Sequence, residues 1–386
     1  MRILHVTTRH ISGGAAKNVR FSVEWELQHG HVVHVAGGPS SDWRQIPWGA
    51  DTHVIPDLVR AVRPAADLRA IRQLAALMQR HRFDVVHTHL SKAGIVGRIA
   101  ARRRVPVVVH TIHMASFGRG YSPVSSRVFR TAEQYCARST DFFVSVGEEL
   151  KRDYLAAGIG HRKQYSIIRS PLEPAAFTAM RGLSERERLG LRAKFAAPEK
   201  ARIIVVAGML EPRKRHDLVL HSLAPLLRNA NTHLYIAGEG YEETKLRTLA
   251  RQSGIETAVR LLGHIENLPE LFAISDVFVH AATAEGVPQV VVQALCAGVP
   301  VVATETQGLR EVPEAPIRIV PSTGLGLCKV VEQTLLSPRT SPAAAELFAP
   351  WSSESISAAL TQLHELLEHR LAGGERSSRD REAVKT

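Results

Sequence analysis

Residues 84–110 read DVVHTHLSKAGIVGRIAARRRVPVVVH. A β-branched run, Val85–Thr88, leads into a helix-length amphipathic stretch, Lys92–Arg103, and then into a second β-branched run, Val105–His110. Two apolar strands joined by one helix make the crossover unit of a parallel sheet covered on both faces. The alternation continues outward. Ile3–Val6 and His31–Val35 precede it, with helical patterns at Ala15–Gln28 and Ala65–Gln79. Phe142–Val146 and Ser166–Ile168 follow it, with helical patterns at Ser125–Ala137 and Glu148–Ala156. The rhythm stops at Ser170-Pro-Leu-Glu-Pro and a charged stretch over 181–200. It restarts at Arg202-Ile-Ile-Val-Val-Ala, with further strands at His233–Ala237, Ala258–Leu261, Val277–His280 and Val299–Ala303. The expected fold is therefore α/β, with two doubly wound, Rossmann-like domains over residues 1–175 and 176–350. An amphipathic helix is expected over 351–371 and a polar, unstructured tail over 372–386.

With 386 residues, 45% hydrophobic and 22% charged, the chain is long and apolar enough for two cores. Collagen-like, disordered and small disulfide-stapled classes are excluded. The longest apolar run, Val287–Ala303, holds Pro288, Gln289, Gln293 and Pro300. It reads as buried core, because a bilayer helix needs about 20 mostly apolar residues. The start, Met1-Arg-Ile-Leu-His-Val, is too short in apolar length for a signal peptide and reads as a first strand. Three cysteines, Cys136, Cys296 and Cys328, lack zinc-ligand spacing and imply no disulfide framework. A cytoplasmic setting is expected, with no metal and no cofactor. The formal charge of +12 admits an anionic membrane surface, approached peripherally, or a phosphorylated substrate. Nucleic acid is not an expected partner, because aromatics are 5% and no dense Lys/Arg block carries them interleaved.

In open α/β sheets, ligands bind beyond the carboxyl ends of the strands, so the residues just after each strand matter most. After the first strand come Gly13 and Gly14 and then a helix start, a place where backbone N–H groups can meet an anion. The spacing is not G-x-G-x-x-G, and a plain tight turn fits the same residues. After Val105–His110 comes His110-Thr-Ile-His113. Either histidine could serve a substrate hydroxyl, and either could be a satisfied structural histidine. In the second half, Gly208 is followed by Arg213, Lys214 and Arg215 beside a helix start. That suits a diphosphate, and it equally suits a solvated helix end. Gly238 and the pair His264-Ile265 sit in later glycine turns. The sharpest segment runs from Ala284 to Thr304: Glu285 in a loop, Gly286 and Val287 before a helix, Gln293 inside it, and Gly298 ending it.

Taken in order, these motifs resemble the family 4 retaining glycosyltransferases of the GT-B fold, from Ile3 to about Leu371. The resemblance also rests on Asp84-Val-Val-His-Thr-His and Val144-Ser-Val-Gly-Glu-Glu-Leu. It implies two domains facing a cleft, the first binding an acceptor and the second a nucleotide-sugar, with the last helix crossing back to the first domain. It implies His113, Lys214 and Glu285 as catalytic residues: His113 near the donor sugar, Lys214 on the diphosphate, Glu285 near the sugar hydroxyls. It further implies Gly13, Gly14, Gly208, Arg213, Gly238, His264, Ile265, Gly286, Val287 and Gln293 as donor-binding positions. The leaving phosphate takes the acceptor proton in such a mechanism, so no separate protein base is required.

Departures from the pattern bear on the donor. Gln293 stands where the family has a Glu that accepts both ribose hydroxyls. A carboxamide offers one acceptor oxygen, and losing the charge-assisted bond costs on the order of 1–2 kcal/mol. A UDP-sugar is the favoured donor, and a dTDP-sugar, with one hydroxyl fewer, would also fit a Gln. Met209 stands where many relatives carry Arg, Ser170-Pro171 where they carry Asn-Gly, and the stretch after Glu311 is shorter. The expected activity is transfer of a sugar (EC 2.4) to a hydroxyl acceptor in glycan, glycolipid or natural-product biosynthesis. A nucleotide-sugar epimerase and a non-catalytic nucleotide-sugar-binding partner protein are the alternatives.

Overall fold

The computed structural model describes the chain except residues 11–12, 119, 230, 312–315, 338–344 and 384–386, and the side chains of 345 and 374–383. The shortened stretch after Glu311 thus falls partly outside the described residues. The chain forms two compact units: Met1–Pro171 together with the chain from Ser353 onward, and Leu172–Ser352. The first unit ends inside the Ser170-Pro-Leu-Glu-Pro break, at Pro171 rather than 175.

In the first unit, strands β1 (Arg2–Thr7), β2 (Val32–Gly37), β3 (Asp51–Val54), β4 (Val85–His89), β5 (Val107–Ile112), β6 (Phe142–Ser145) and β7 (Tyr165–Ile167) form one parallel sheet, ordered β3-β2-β1-β4-β5-β6-β7. Helices α1 (Gly14–Gln28), α2 (Pro64–His81), α3 (Ser91–Ala101), α4 (Pro123–Ala137) and α5 (Glu148–Ala156) connect the strands. β3 carries no apolar alternation because it is an edge strand whose residues are largely exposed, and the sequence pattern leaves it as loop.

Strand alternation decides what each face holds. Leu4, Val6, Val86 and Val108 pack with Leu74 and Met78 of α2 and Val96 of α3. Ile3, Val85, Val107 and Val109 pack on the other side with Trp25 of α1 and with Ile356, Leu360, Leu363 and Leu367. Those last four belong to the terminal helix, which therefore returns to the amino-terminal unit. They are at most 2% exposed, and burying such a side chain contributes about 1.5–3 kcal/mol. The helix runs Ser353–Ala383, so its backbone continues past Leu371 through residues read as an unstructured tail. Farther along the strands the second face turns polar: His5, His87 and His89 extend the rows begun by Ile3 and Val85. Away from the sheet ends, α3 and α4 are joined by a fully buried ion pair, Arg98 Nη2 to Glu133 Oε2 at 2.5 Å.

The second unit starts with α6 (Pro174–Thr178) and α7 (Glu185–Lys194). α7 lies in the charged 181–200 stretch, and its start is a capping box. Glu187 N–H donates to Ser184 Oγ at 3.3 Å, and Ser184 N–H donates to Glu187 Oε2 at 2.7 Å. Next come β8 (Arg202–Ala207), α8 (His216–Leu227), β9 (Thr232–Ala237), α9 (Glu243–Gln252), β10 (Val259–Gly263), α10 (Leu268–Ala273), β11 (Val277–His280), α11 (Gln289–Cys296), β12 (Val301–Thr304), β13 (Ile317–Val320) and α12 (Leu327–Leu336); the terminal helix is α13. The sheet is parallel, in the order β10-β9-β8-β11-β12-β13. Strand order reverses between β1 and β4 in one sheet and between β8 and β11 in the other. Those two reversals are the topological switch points at which open α/β sheets take their ligands.

Candidate active site

The second unit's switch point is built from the turns after β8 and β11. The chain leaves β8 through Gly208. Gly238, at the end of β9, has φ 144°, and a Cβ there would lie 1.9 Å from the Gly208 carbonyl oxygen. Only glycine lets the two turns pack this closely. Gly238 N–H donates to the Gly263 carbonyl at 2.8 Å, and His264 N–H donates to Glu239 Oε1 at 3.3 Å, so the three glycine turns form one surface. A single 3-10 turn, Pro212–Lys214, then aims its cations across to the β11 side. Lys214 Nζ donates to Glu285 Oε1 at 2.5 Å. Arg213 Nη1 donates to the Ala284 carbonyl at 3.0 Å and lies 3.4 Å from Glu285 Oε2, while its Nη2 donates to Glu211 Oε1 at 2.6 Å. Thr283 N–H closes the turn on the Arg213 carbonyl at 2.9 Å.

Burial alone would raise the Glu285 carboxyl, but Lys214 and Arg213 outweigh it and hold it below its usual range. Glu285 is therefore an anion. The Lys214 ammonium has three donors, so it can keep Glu285 and still meet a phosphate oxygen. α11 begins just beyond, with no side-chain cap and no acidic residue in its first turn, which leaves its positive dipole end for an anion. Gln293 is buried within α11 at 6% exposure. Val287 and Ile265 pack against the hydrophobic cluster beneath, so their side chains belong to the core. Two histidines that the motif reading missed stand here. His216 Nε2 bonds to the Met209 carbonyl at 3.2 Å, and His280 ends β11 with Nε2 buried and unpartnered. A histidine at a strand end was the available signal.

In the first unit, Gly13 precedes α1 with φ 125°, a conformation other residues rarely adopt, and α1 has neither a side-chain cap nor an acidic first turn. His10, beside it, is fully buried with both ring nitrogens unpartnered, and burial lowers it to about 4. The structure separates the two histidines of the His-Thr-Ile-His run. His110, on β5, is a packing residue: Nδ1 bonds to Thr88 Oγ1 at 2.9 Å and the ring fills the space above Gly94. His113 lies past the end of β5, where strand alternation no longer applies, and its Nε2 is 3.2 Å from His89 Nδ1. The residue is partly exposed, but its Nδ1 is shielded from solvent and unpartnered. Burial lowers its imidazole to about 4. His5, His87 and His89 bring one nitrogen each within 4.8 Å of one another, a gathering of metal-ligand type that no spacing along the chain announces. His5 Nδ1 and His89 Nε2 are 2.9 Å apart. Two nitrogens on one tetrahedral zinc, with bonds of 2.0–2.1 Å, stand about 3.3 Å apart, so the contact fits a shared proton better than a shared ion.

Residues 13–168 match the family described as glycosyl transferase 4-like domain, and residues 188–315 match glycosyl transferases group 1. The chain belongs to the GT4 glycosyltransferases. It is 28% identical over 297 residues to the putative glycosyltransferase EpsD of Bacillus subtilis (strain 168), covering 75% of each chain. It is 26% identical over 285 residues to the UDP-Gal:alpha-D-GlcNAc-diphosphoundecaprenol alpha-1,3-galactosyltransferase of Escherichia coli, covering 72% of each. The fold is GT-B: the crystal structure of Anabaena HepE in complex with UDP and glucose aligns at TM-score 0.74 and 19% identity, over 95% of this chain and 99% of that one. This GT4 glycosyltransferase is accordingly a transferase that uses a nucleotide-sugar donor. Among its described residues no helix is long and apolar enough to cross a membrane.

Acid should weaken the glycosyltransferase through its buried histidines. Burial lowers both His216 and His280 from 6.5 to about 4. Between those values the unfolded chain binds protons that the folded one refuses. Stability is therefore full above about pH 6.5 and declines as pH falls toward 4. Urea midpoints at pH 7.5 and pH 5 should show it, and equal midpoints would contradict it.

Proposed function

We propose that this glycosyltransferase transfers a sugar from a UDP-sugar to a hydroxyl acceptor with retention of anomeric configuration. In the second unit, Lys214 and Arg213 with the start of α11 receive the departing diphosphate, and Glu285 holds hydroxyls of the sugar. In the first unit, Gly13 and Gly14 offer backbone N–H groups at the start of α1, and His113 hydrogen-bonds a hydroxyl of the transferred sugar. The bond from the anomeric carbon to the diphosphate oxygen breaks, the acceptor oxygen bonds to that carbon, and the acceptor proton passes to the leaving phosphate. Stabilising the charge of the leaving group is the step the protein can most affect. The observation that carries this reading is the Lys214–Glu285 contact at the β8/β11 switch point, which joins a cation for phosphate to an acceptor for sugar hydroxyls. UDP as the nucleotide is supported by the donor in the Escherichia coli relative's name and by the UDP in the HepE complex.

Two measurements test it. A donor panel should show tighter binding of UDP-sugars than of dTDP-sugars, and Gln293→Glu should widen the gap by on the order of tenfold by restoring a charge-assisted bond. Preference for dTDP-sugars would reverse the donor assignment. Separately, His113→Ala should lower kcat/KM well below wild type with an unchanged melting temperature, whereas His110→Ala should lower the melting temperature first. The opposite pattern would remove His113 from the site.

A further inference from the structure

Five buried or partly buried side chains of the first unit form one line of hydrogen bonds. His364 Nε2 of α13 lies 3.3 Å from Glu26 Oε1 of α1. Glu26 Oε2 lies 2.7 Å from His5 Nε2 of β1, His5 Nδ1 lies 2.9 Å from His89 Nε2 of β4, and His89 Nδ1 lies 3.2 Å from His113 Nε2. The line crosses the β1/β4 switch point and ends at His113 Nδ1, a shielded ring nitrogen with no partner.

Such a line has a direction, and its one acidic member sets it. Burial would raise the Glu26 carboxyl, but His5 and His364 outweigh it and hold it well below the usual carboxylate range, so Glu26 is an anion that can only accept. His5 must then carry its proton on Nε2. An imidazole with one proton, placed on Nε2, presents Nδ1 as an acceptor, so with one proton on each ring His5 Nδ1 accepts from His89 Nε2–H. Burial pushes His89 well below the imidazole range and holds it neutral, and its Nδ1 accepts from His113 Nε2–H. The remaining nitrogen, His113 Nδ1, is left as a bare lone pair.

We propose that Glu26, acting through His5 and His89, is a positioning residue that fixes His113 in the Nε2–H tautomer, so that His113 Nδ1 accepts a hydrogen bond from a hydroxyl of the transferred sugar. This rests on the proposed donor role of His113 and adds which atom acts and what sets it. A buried acceptor without a partner is unfavourable, and a sugar hydroxyl supplies the bond that the protein withholds. The terminal helix enters the same line, because His364 occupies the second oxygen of Glu26 and leaves the first to His5.

The test is nitrogen-15 NMR of histidine-labelled full-length protein without substrate, with His113 assigned from His113→Ala. The expected spectrum shows His113 protonated at Nε2 and unprotonated at Nδ1. A proton on Nδ1, or fast averaging of both forms, overturns the proposal. So does stoichiometric zinc in the purified protein that alters the His5 and His89 signals. In Glu26→Gln the carboxamide can donate as well as accept, so the single tautomer should be lost and kcat/KM should fall on the order of 10- to 100-fold, as when an outer partner of a functional imidazole is removed. An unchanged tautomer in that variant also overturns it. Should Glu26→Gln not fold, the wild-type spectrum alone decides. Singly deoxygenated donors complete the test: the analogue that costs the wild type most should cost Glu26→Gln and His113→Ala no further loss. If the tautomer is fixed as expected while His113→Ala keeps wild-type kinetics, the relay stands and the donor contact falls.

Discussion

Lys214→Ala is expected to lower kcat by on the order of 10²–10³-fold while leaving the protein folded. The side chain is a contributor to chemistry and a minor contributor to packing. Its ammonium meets Glu285 Oε1 at 2.5 Å, and its stem lies over Gly208, where a Cβ would approach Cε to 3.3 Å. Removing a group aimed at charge that develops in the transition state costs about 2.7–4 kcal/mol of barrier. In this reading the charge is that of the departing diphosphate. Met209, in the same loop, carries no charge, and Arg213 is the other cation placed beside Glu285. Arg213 is already engaged by Glu211 and the Ala284 carbonyl and cannot fully replace Lys214. Glu285→Ala should also abolish turnover, but for the other reason, loss of the hydroxyl acceptor, and it leaves Lys214 free. The two variants then separate by binding. Lys214→Ala should weaken free UDP, whereas Glu285→Ala should leave UDP affinity near wild type. Wild-type turnover in either variant would contradict the assignment.

Glu133→Ala is expected to destabilise the first unit by about 3–5 kcal/mol, the range for removing one partner of a buried ion pair. Both side chains are fully buried. Arg98 Nη2 meets Glu133 Oε2 at 2.5 Å, Arg98 Nε donates to the Gly94 carbonyl at 2.8 Å, and Ser116 Oγ donates to Glu133 Oε1 at 3.3 Å while contacting the Tyr154 hydroxyl at 2.9 Å. Burial opposes the Arg98 charge, and Glu133 outweighs that and raises its pKa. Without the carboxylate, a guanidinium stays in the core with nothing to compensate it, and Nη1 already lacks a partner. The double replacement Arg98→Met with Glu133→Leu removes both charges and keeps apolar volume, so it should recover most of the loss. Chemical denaturation of the two variants checks this. A single variant as stable as wild type would show that water reaches the pair.

Most of the second unit's site is legible along the chain, because its parts are local turns. Gly208 and Lys214 share one loop, as do Glu285 and Gly286, and each follows a β-branched run that announces itself. Elements without apolar alternation were hidden: β3 is an exposed edge, and α7 has no buried residue, although Ser184 and Glu187 spell its cap. The helical extension beyond Leu371 was hidden too, because a polar composition with two glycines does not register as helix.

The sequence by itself determined the two parallel sheets, the break near Pro171, the amphipathic pattern of a terminal helix and the loops that carry Lys214, Glu285 and His113. Those are consequences of periodicity and turn chemistry, which act over a few neighbouring residues. Tertiary structure alone decided which of the 19 histidines stand in line. His5, His89, His113, Glu26 and His364 come from five separate segments. They meet because β1 pairs with β4 at the point where strand order reverses, and because α1 and α13 cover that face of the sheet. A hydrogen bond between residues so far apart in the chain leaves no spacing to read. It exists only after strand register has fixed which side chains share a face.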